Sequence, residues 1–176
     1  LFATPSVYES TIVFTTDRGW VTGLNRSTGE EKWSIRLGNT NRSTPTIADG
    51  KVFVSGGQDG NIYALDLETG RGLWSENIGQ PAVYESPIYK DGVVYVGSGL
   101  NERPSIYALN ANNGQRIWQK ELGASSYFGA TLGGDYLYIG TYENSTLRAL
   151  NVTDGSEEWS ITITREGFAS KPVYHE

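Results

Sequence analysis

Short apolar runs, rich in β-branched and aromatic residues, recur along the whole chain and are separated by Gly, Asp, Asn and Pro. Ile12-Val13-Phe14 is followed by Val21 to Leu24, Lys51 to Ser55 by Asn61 to Leu65, Val93 to Gly97 by Ser105 to Leu109, and Tyr136 to Gly140 by Thr146 to Leu150. Runs of this kind, bounded by turn-formers such as Asp49-Gly50, Asp59-Gly60 and Thr69-Gly70, predict strands joined in hairpins. A further strand is expected before and after each pair: Ala3 to Tyr8 and Glu31 to Leu37, Thr44 to Ala48 and Gly72 to Ile78, Ser86 to Tyr89 and Arg116 to Leu122, Gly129 to Leu132 and Glu158 to Ile163.

The groups are copies of one unit. Ala64 to Trp74, ALDLETGRGLW, recurs as GLNRSTGEEKW from Gly23, ALNANNGQRIW from Ala108 and ALNVTDGSEEW from Ala149. Trp33, Trp74, Trp118 and Trp159 are 41, 44 and 41 residues apart, and Gly29, Gly70, Gly114 and Gly155 keep the same intervals. Four short strands per period of this length predict an all-β chain of β-propeller blades, each a four-stranded antiparallel sheet. The blades span about 3–38, 43–79, 85–123 and 128–164 of a single domain, 1–176. Phe168 to Tyr174 then repeats the pattern of Phe2 to Tyr8, so 168–175 reads as the first strand of a fifth blade. The array is expected to be an arc or part of a larger ring. Its strand edges would be covered by further blades or by other copies.

Each slot of the unit has a physical use. A small residue (Gly23, Ala64, Ala108 or Ala149) stands beside a leucine on a strand buried between neighbouring sheets, which lets blades approach. The following Asn or Asp bonds its own backbone, and the glycine four positions later adopts positive φ, which together make a turn. Burying an indole of roughly 150–250 Å² at about 25 cal/mol per Å² is worth at most about 4–6 kcal/mol. All four repeat tryptophans are therefore expected to be structural.

Two features depart from the repeat and become the candidate binding residues. Trp20 replaces the polar Asn61, Ser105 and Thr146 of the other units, just before the third strand. The third unit carries an insertion, Leu100 to Pro104, which places Asn101, Glu102 and Arg103 on a lengthened loop, and loops on rigid scaffolds carry recognition.

Composition narrows the function classes. The net charge is -6, with basic residues scattered along the blades and forming no stripe, which argues against nucleic acid as a partner. The absence of cysteine removes thiol catalysis, disulfides and thiolate metal sites. A polar, glycine-rich composition with only 19% charged residues leans towards an extracytoplasmic surface. No apolar run reaches membrane-spanning length. Four glycosylation sequons begin at Asn25, Asn41, Asn144 and Asn151. Asn25 and Asn151 occupy the turn slot of the repeat, so Asn41 and Asn144 are the better acceptors.

Candidate chemistry is sparse. His175 is the sole histidine, which leaves no material for a histidine-based triad or metal cluster. Glu30-Glu31 and Glu157-Glu158 fall on exposed turns of the repeat. Gly97-Ser98-Gly99 precedes no helix that could hold a phosphate, and neither Asp17 nor Asp59-Gly60-Asn61 makes a calcium loop. No catalytic, cofactor-binding or metal-binding residues are expected.

The repeat resembles that of the pyrroloquinoline-quinone-like (PQQ-like) propellers, with their tryptophan-docking motif Ala-x-Asp-x-x-Thr-Gly-x-x-x-Trp. Ala64, Asp66, Thr69, Gly70 and Trp74 match it in full. The other units keep the glycine and tryptophan but place Asn25, Asn110 and Asn151 at the aspartate, Gly23 at one alanine, and Asn113 and Asp154 at the threonine. The resemblance covers essentially the whole chain. It implies either a non-catalytic scaffold, similar to the outer-membrane assembly lipoprotein of the BamB type, or part of a quinoprotein dehydrogenase holding PQQ and calcium. Many such dehydrogenases use a vicinal cysteine pair that this chain lacks. A structural cell-surface or filament subunit is the third expectation. The preferred expectation is an extracytoplasmic protein-binding or assembly scaffold without a cofactor, with a protein partner or self-association through exposed blade edges.

Overall fold

The computed structural model describes residues 3–38, 42–79, 86–98, 103–126 and 129–163. The proposed strand at 168–175, Asn41, Asn101, Glu102 and His175 lie outside the described residues. Among the described residues sixteen strands form four antiparallel sheets, each a meander in sequence order. Blade 1 holds β1 (Ser6–Tyr8), β2 (Thr11–Thr15), β3 (Trp20–Asn25) and β4 (Glu31–Arg36). Blade 2 holds β5 (Thr46–Ala48), β6 (Lys51–Ser55), β7 (Asn61–Asp66) and β8 (Gly72–Asn77). Blade 3 holds β9 (Ile88–Lys90), β10 (Val93–Ser98), β11 (Ser105–Asn110) and β12 (Arg116–Glu121). Blade 4 holds β13 (Ala130–Gly133), β14 (Tyr136–Thr141), β15 (Thr146–Asn151) and β16 (Glu157–Thr162).

Successive side chains on a strand point to opposite faces of its sheet, so each inner strand serves two blade boundaries. Val52, Val54 and Leu65 face back to Val13, Val21, Trp33 and Leu37 of blade 1. Phe53, Ile62 and Ala64 face forward to Val94, Val96, Tyr107 and Leu109 of blade 3. Tyr95, Ile106 and Ala108 in turn meet Leu137, Ile139 and Leu150 of blade 4. The apolar core is thus three separate layers, one per boundary, as expected of a stack of repeats in which each unit touches only its neighbours.

The small residue of the repeat has a use beyond close blade packing. It lies directly across the ladder from the tryptophan of its own blade, in the pairs Gly23↔Trp33, Ala64↔Trp74, Ala108↔Trp118 and Ala149↔Trp159. At Gly23 even a methyl would collide, since a Cβ there would lie 2.4 Å from the Trp33 ring. The register shifts by one residue immediately afterwards in all four blades. This bulge adds local twist and turns the chain into the β3–β4 type of hairpin.

That hairpin is closed by backbone and side chain together. In blade 1 the Gly29 amide donates to the Asn25 carbonyl (2.8 Å), and Asn25 Oδ1 accepts from the amides of Ser27 and Thr28. In blade 2 Asp66 Oδ1 accepts from both the amide and the hydroxyl of Thr69, at 2.9 and 2.6 Å. Gly29, Gly70, Gly114 and Gly155 all have φ between 70° and 75°, the left-handed conformation glycine adopts without a Cβ clash.

Candidate functional site

Propeller function sits on the ends and edges of the blades, so the site is built from what the fold leaves uncovered there. The connections between second and third strands leave at one end of every blade. At that rim the residue that follows or ends the last strand of each blade donates a backbone hydrogen bond to the loop: the Leu37 amide to the Gly19 carbonyl, Ile78 to Gly60, Leu122 to Pro104 and Ile163 to Ser145.

Trp20 opens β3 at this rim and is 43% exposed. Its amide is held by the Thr16 hydroxyl at 3.2 Å, so the indole projects from an ordered turn. Arg103, on the third blade's loop, has a side chain 78% exposed, with Glu121 4.0 Å away. Tyr142, at the matching place in blade 4, is 50% exposed. The sequence reading did not single out Tyr142. The available signal was an aromatic residue in a second-to-third-strand loop, the criterion that selected Trp20. The rim therefore gathers Trp20, Arg103 and Tyr142 on one end of the array, on blades 1, 3 and 4.

Between these loops lies a polar knot. The Tyr63 hydroxyl donates to Asp59 Oδ2 (2.8 Å) and the Asn61 amide to Asp59 Oδ1 (2.8 Å). Burial, and then the Asp59 carboxylate, push the Tyr63 phenol above its ordinary value. In blade 4, burial of Glu143 opposes ionisation. Hydrogen bonds from Ser125 outweigh it and hold this carboxyl below the usual range; the Ser125 amide donates to Glu143 Oε2 at 2.6 Å.

At the opposite end, beside the boundary of blades 3 and 4, an open groove of about 390 Å³ is lined by Lys90, Asp91, Tyr95, Ile117, Trp118 and Val152 among others. Burial, helped by Asp91, raises the Tyr95 phenol to about 12, and its hydroxyl donates to the Val152 carbonyl. The groove and the predicted binding residues lie at different ends of the blades.

The sequon asparagines differ in their engagement. Asn25 and Asn151 are held in their turns, Asn151 by the Thr153 amide. Asn144 is exposed on the rim, and its Oδ1 accepts from the Thr141 hydroxyl. Among the described residues no three acidic or histidine side chains gather into a cation-sized cluster.

The blade boundaries show how the repeat tryptophan works. Trp33 Nε1 donates to the Leu67 carbonyl (2.9 Å), Trp74 Nε1 to Ala111 (3.0 Å) and Trp118 Nε1 to Val152 (3.0 Å), each acceptor lying in the turn of the next blade. Each indole lies on that turn's glycine: a Cβ would meet the ring at 2.6 Å from Gly70 and at 2.7 Å from Gly114 or Gly155. Trp159 corrects the expectation that all four tryptophans are buried. Trp33 is 8% exposed and Trp159 42%, because no described turn lies over the blade 4 indole.

Four meandering four-stranded blades, stacked through tryptophan-to-turn joints and carrying exposed loop residues at one rim, define a propeller repeat protein of the PQQ-like type. A family profile described as outer membrane protein assembly factor BamB matches residues 2–127 and 102–176, and the chain belongs to that family. It is 29% identical over 106 residues to the outer membrane protein assembly factor BamB of Yersinia pestis, covering 52% of this chain and 27% of that protein. It is 30% identical over 169 residues to the serine/threonine-protein kinase AfsK of Streptomyces griseus, covering 87% of this chain and 20% of the kinase. The matched segments thus cover under a third of the length of each of these curated relatives.

Among solved structures, BamB from Moraxella catarrhalis superposes with a TM-score of 0.80 at 20% identity, covering 97% of this chain and 54% of that one. A europium-containing methanol dehydrogenase gives 0.79 at 18% identity, covering 90% and 41%. At these identities the structural likeness speaks for the fold alone. No helix among the described residues is long and apolar enough to cross a membrane.

Proposed function

We propose that the chain is a non-catalytic, extracytoplasmic propeller segment that binds a protein partner through its loop rim. The observation that carries this reading is the exposure of Trp20 and Tyr142 with Arg103 at one end of a rigid array. Trp, Tyr and Arg are the side chains that dominate the energetics of protein interfaces, and here they stand on scaffolded loops. The names of the BamB relatives, assembly factors of the outer membrane, support both a protein partner and an extracytoplasmic home.

The use made of the acids supports a non-catalytic role. Asp66 and Asp154 hold hairpin turns, while Glu68, Glu76 and Glu157 pair with Lys32, Arg116 and Arg148.

The test compares the wild-type chain with a Trp20→Ala/Arg103→Ala/Tyr142→Ala variant as immobilised bait against extracytoplasmic extract. The partner is then purified and titrated against both. Retention of a partner by wild type and its loss by an equally folded triple variant is expected; equal binding by the two overturns the rim assignment. A fragment of a quinoprotein dehydrogenase, the other class of protein that the PQQ-like repeat implies, is the second reading. PQQ-dependent dye reduction with calcium, carried out by this chain, would replace the scaffold reading.

A further inference from the structure

At the end of the array away from the rim, the blade boundaries are closed by different devices. Between blades 1 and 2 the Lys32 ammonium donates to the Thr11 hydroxyl (2.8 Å) and to Glu68 (2.5 Å). Between blades 2 and 3 the Tyr89 ring stacks on Phe53, and its hydroxyl donates to the Asp49 carboxylate.

Between blades 3 and 4 the residues of both devices are exchanged. Ile117 precedes Trp118 as Lys32 precedes Trp33, Thr153 holds the turn position of Glu68, and Val93 opens β10 as Thr11 opens β2. Leu132 lies across from Leu137 as Tyr89 does from Val94, so it brings no hydroxyl to Asp91, the counterpart of Asp49. The groove of about 390 Å³ occupies this place, floored by Val93, Ile117, Trp118 and Val152. Ile117 is 49% exposed there.

The mouth of the groove is anionic. Among the lining residues Lys90 carries the single positive charge, and its ammonium is engaged by the Gly134 carbonyl (2.6 Å) and Asp135 (3.3 Å). Asp91 is exposed, and the Asp135 side chain is 82% exposed, so both carboxylates are open to a further cation. Such a mouth disfavours acidic headgroups and nucleic acid. The shape decides further. A small-molecule pocket encloses most of its ligand, whereas an open groove suits a side chain delivered by a larger body that covers it.

We infer that the groove between blades 3 and 4 receives one aromatic or branched apolar side chain of a partner protein, flanked in the partner's sequence by lysine or arginine that pairs with Asp91 and Asp135. The apolar side chain rests on Ile117, Val93 and Val152, where the sister boundary of blades 1 and 2 carries its own ion pair. The groove lies at the opposite end of the blades from the rim, so its failure leaves the rim assignment standing.

Two capped peptides, Gly-Lys-Phe-Lys-Gly and Gly-Glu-Phe-Glu-Gly, test the site by nuclear magnetic resonance on the isotope-labelled chain. The lysine peptide should shift the backbone amides of Ile117 and Thr153 and the indole N–H of Trp118. The glutamate peptide should bind about fivefold more weakly, the scale of exposed charge pairing, and alanine in place of phenylalanine should weaken the lysine peptide by about tenfold. Asp91→Asn/Asp135→Asn should bring the affinities for the two charged peptides together. Val93→Thr/Ile117→Lys/Thr153→Glu gives the groove the residues that close the boundary of blades 1 and 2. It should keep the circular dichroism of the wild type and lose the peptide-induced shifts.

An absence of shifts at about 5 mM lysine peptide, a concentration at which millimolar contacts register, overturns the proposal. So does equal affinity for the lysine and glutamate peptides, or undiminished binding by the folded triple variant. Phenethylamine binding as tightly as the lysine peptide would make this a small-amine site, and shifts of the same signals with protein concentration alone would assign it to a second copy; either result overturns the proposal as well.

Discussion

Trp33 of blade 1 donates its indole N–H to the Leu67 carbonyl of blade 2 at 2.9 Å while its ring rests on Gly70, so a residue of one sheet completes the hairpin of the next. The glycine is constrained twice, by a φ of 70° and by the ring above it. At Gly29 the first constraint holds and the second does not.

Gly70→Ala should therefore destabilise the fold more than Gly29→Ala. Positive φ alone costs an alanine about 1 kcal/mol, and overpacking against the indole adds about 1–3 kcal/mol. Urea denaturation at low micromolar protein should show a gap of that size between the two variants. Equal losses would mean that the indole yields freely.

Trp33→Ala should cost about 3–5 kcal/mol by cavity formation, and Trp159→Ala less than about 1 kcal/mol, because one indole fills a boundary and the other is already partly in water. Thermal melts of the two variants check the order. A larger loss at Trp159 would show that its face is covered in the dilute chain.

The hairpin acids make stability depend on pH. The Thr69 hydroxyl, aided by backbone amides, lowers the Asp66 carboxyl below its ordinary value. A carboxyl with a depressed folded pKa contributes stability that is present above the unfolded value, near 4, and lost as pH falls through the folded one. Thr69→Val should flatten the acid limb of a urea-midpoint profile below about pH 5, where the unfolded carboxyl begins to take up protons, while leaving the neutral plateau slightly lower. An unchanged acid limb would remove Asp66 from the account.

Tyr95 acts at the alkaline limit. Burial, and then Asp91, raise its phenol to about 12, so the folded state favours the protonated form. The contribution is full below the unfolded value of about 10 and is lost as pH rises towards the folded value. Tyr95→Phe should lower stability at neutral pH, through the lost bond to the Val152 carbonyl, and make the alkaline decline shallower. Absorbance titration of tyrosinate alongside unfolding reads both.

Trp20→Ala should leave the melting temperature within the error expected of surface substitutions, about 0.5 kcal/mol, while reducing partner binding. Its exposure and its place at the start of β3 give it no role in a blade boundary. A marked loss of stability would move Trp20 from the rim to the core.

The sequence by itself determined the blades. The spacing of the four Gly and Trp positions, the two-residue alternation and the turn dipeptides are local signals, and strand pairing within a meander is local too, so each sheet could be read off before any coordinate. At the second-to-third-strand loops Trp20 and the insertion near Arg103 stand out in the sequence because they depart from a repeat that is otherwise obeyed, whereas the exposure of Tyr142 on the same rim came only from the structure.

Only the tertiary structure decided which copy of a repeated residue has a neighbour. Trp33 and Trp159 sit in near-identical local sequences, EKWSI and EEWSI, and their different burial comes entirely from what stands across the sheet face. The same holds for Gly29 and Gly70, for Leu24 and Leu65, and for the small residue of the repeat, whose position across from its own blade's indole depends on ladder register. Periodicity fixes what one unit is. Contact between units depends on their order in space, so the unequal ends of the array emerge only when the blades are stacked.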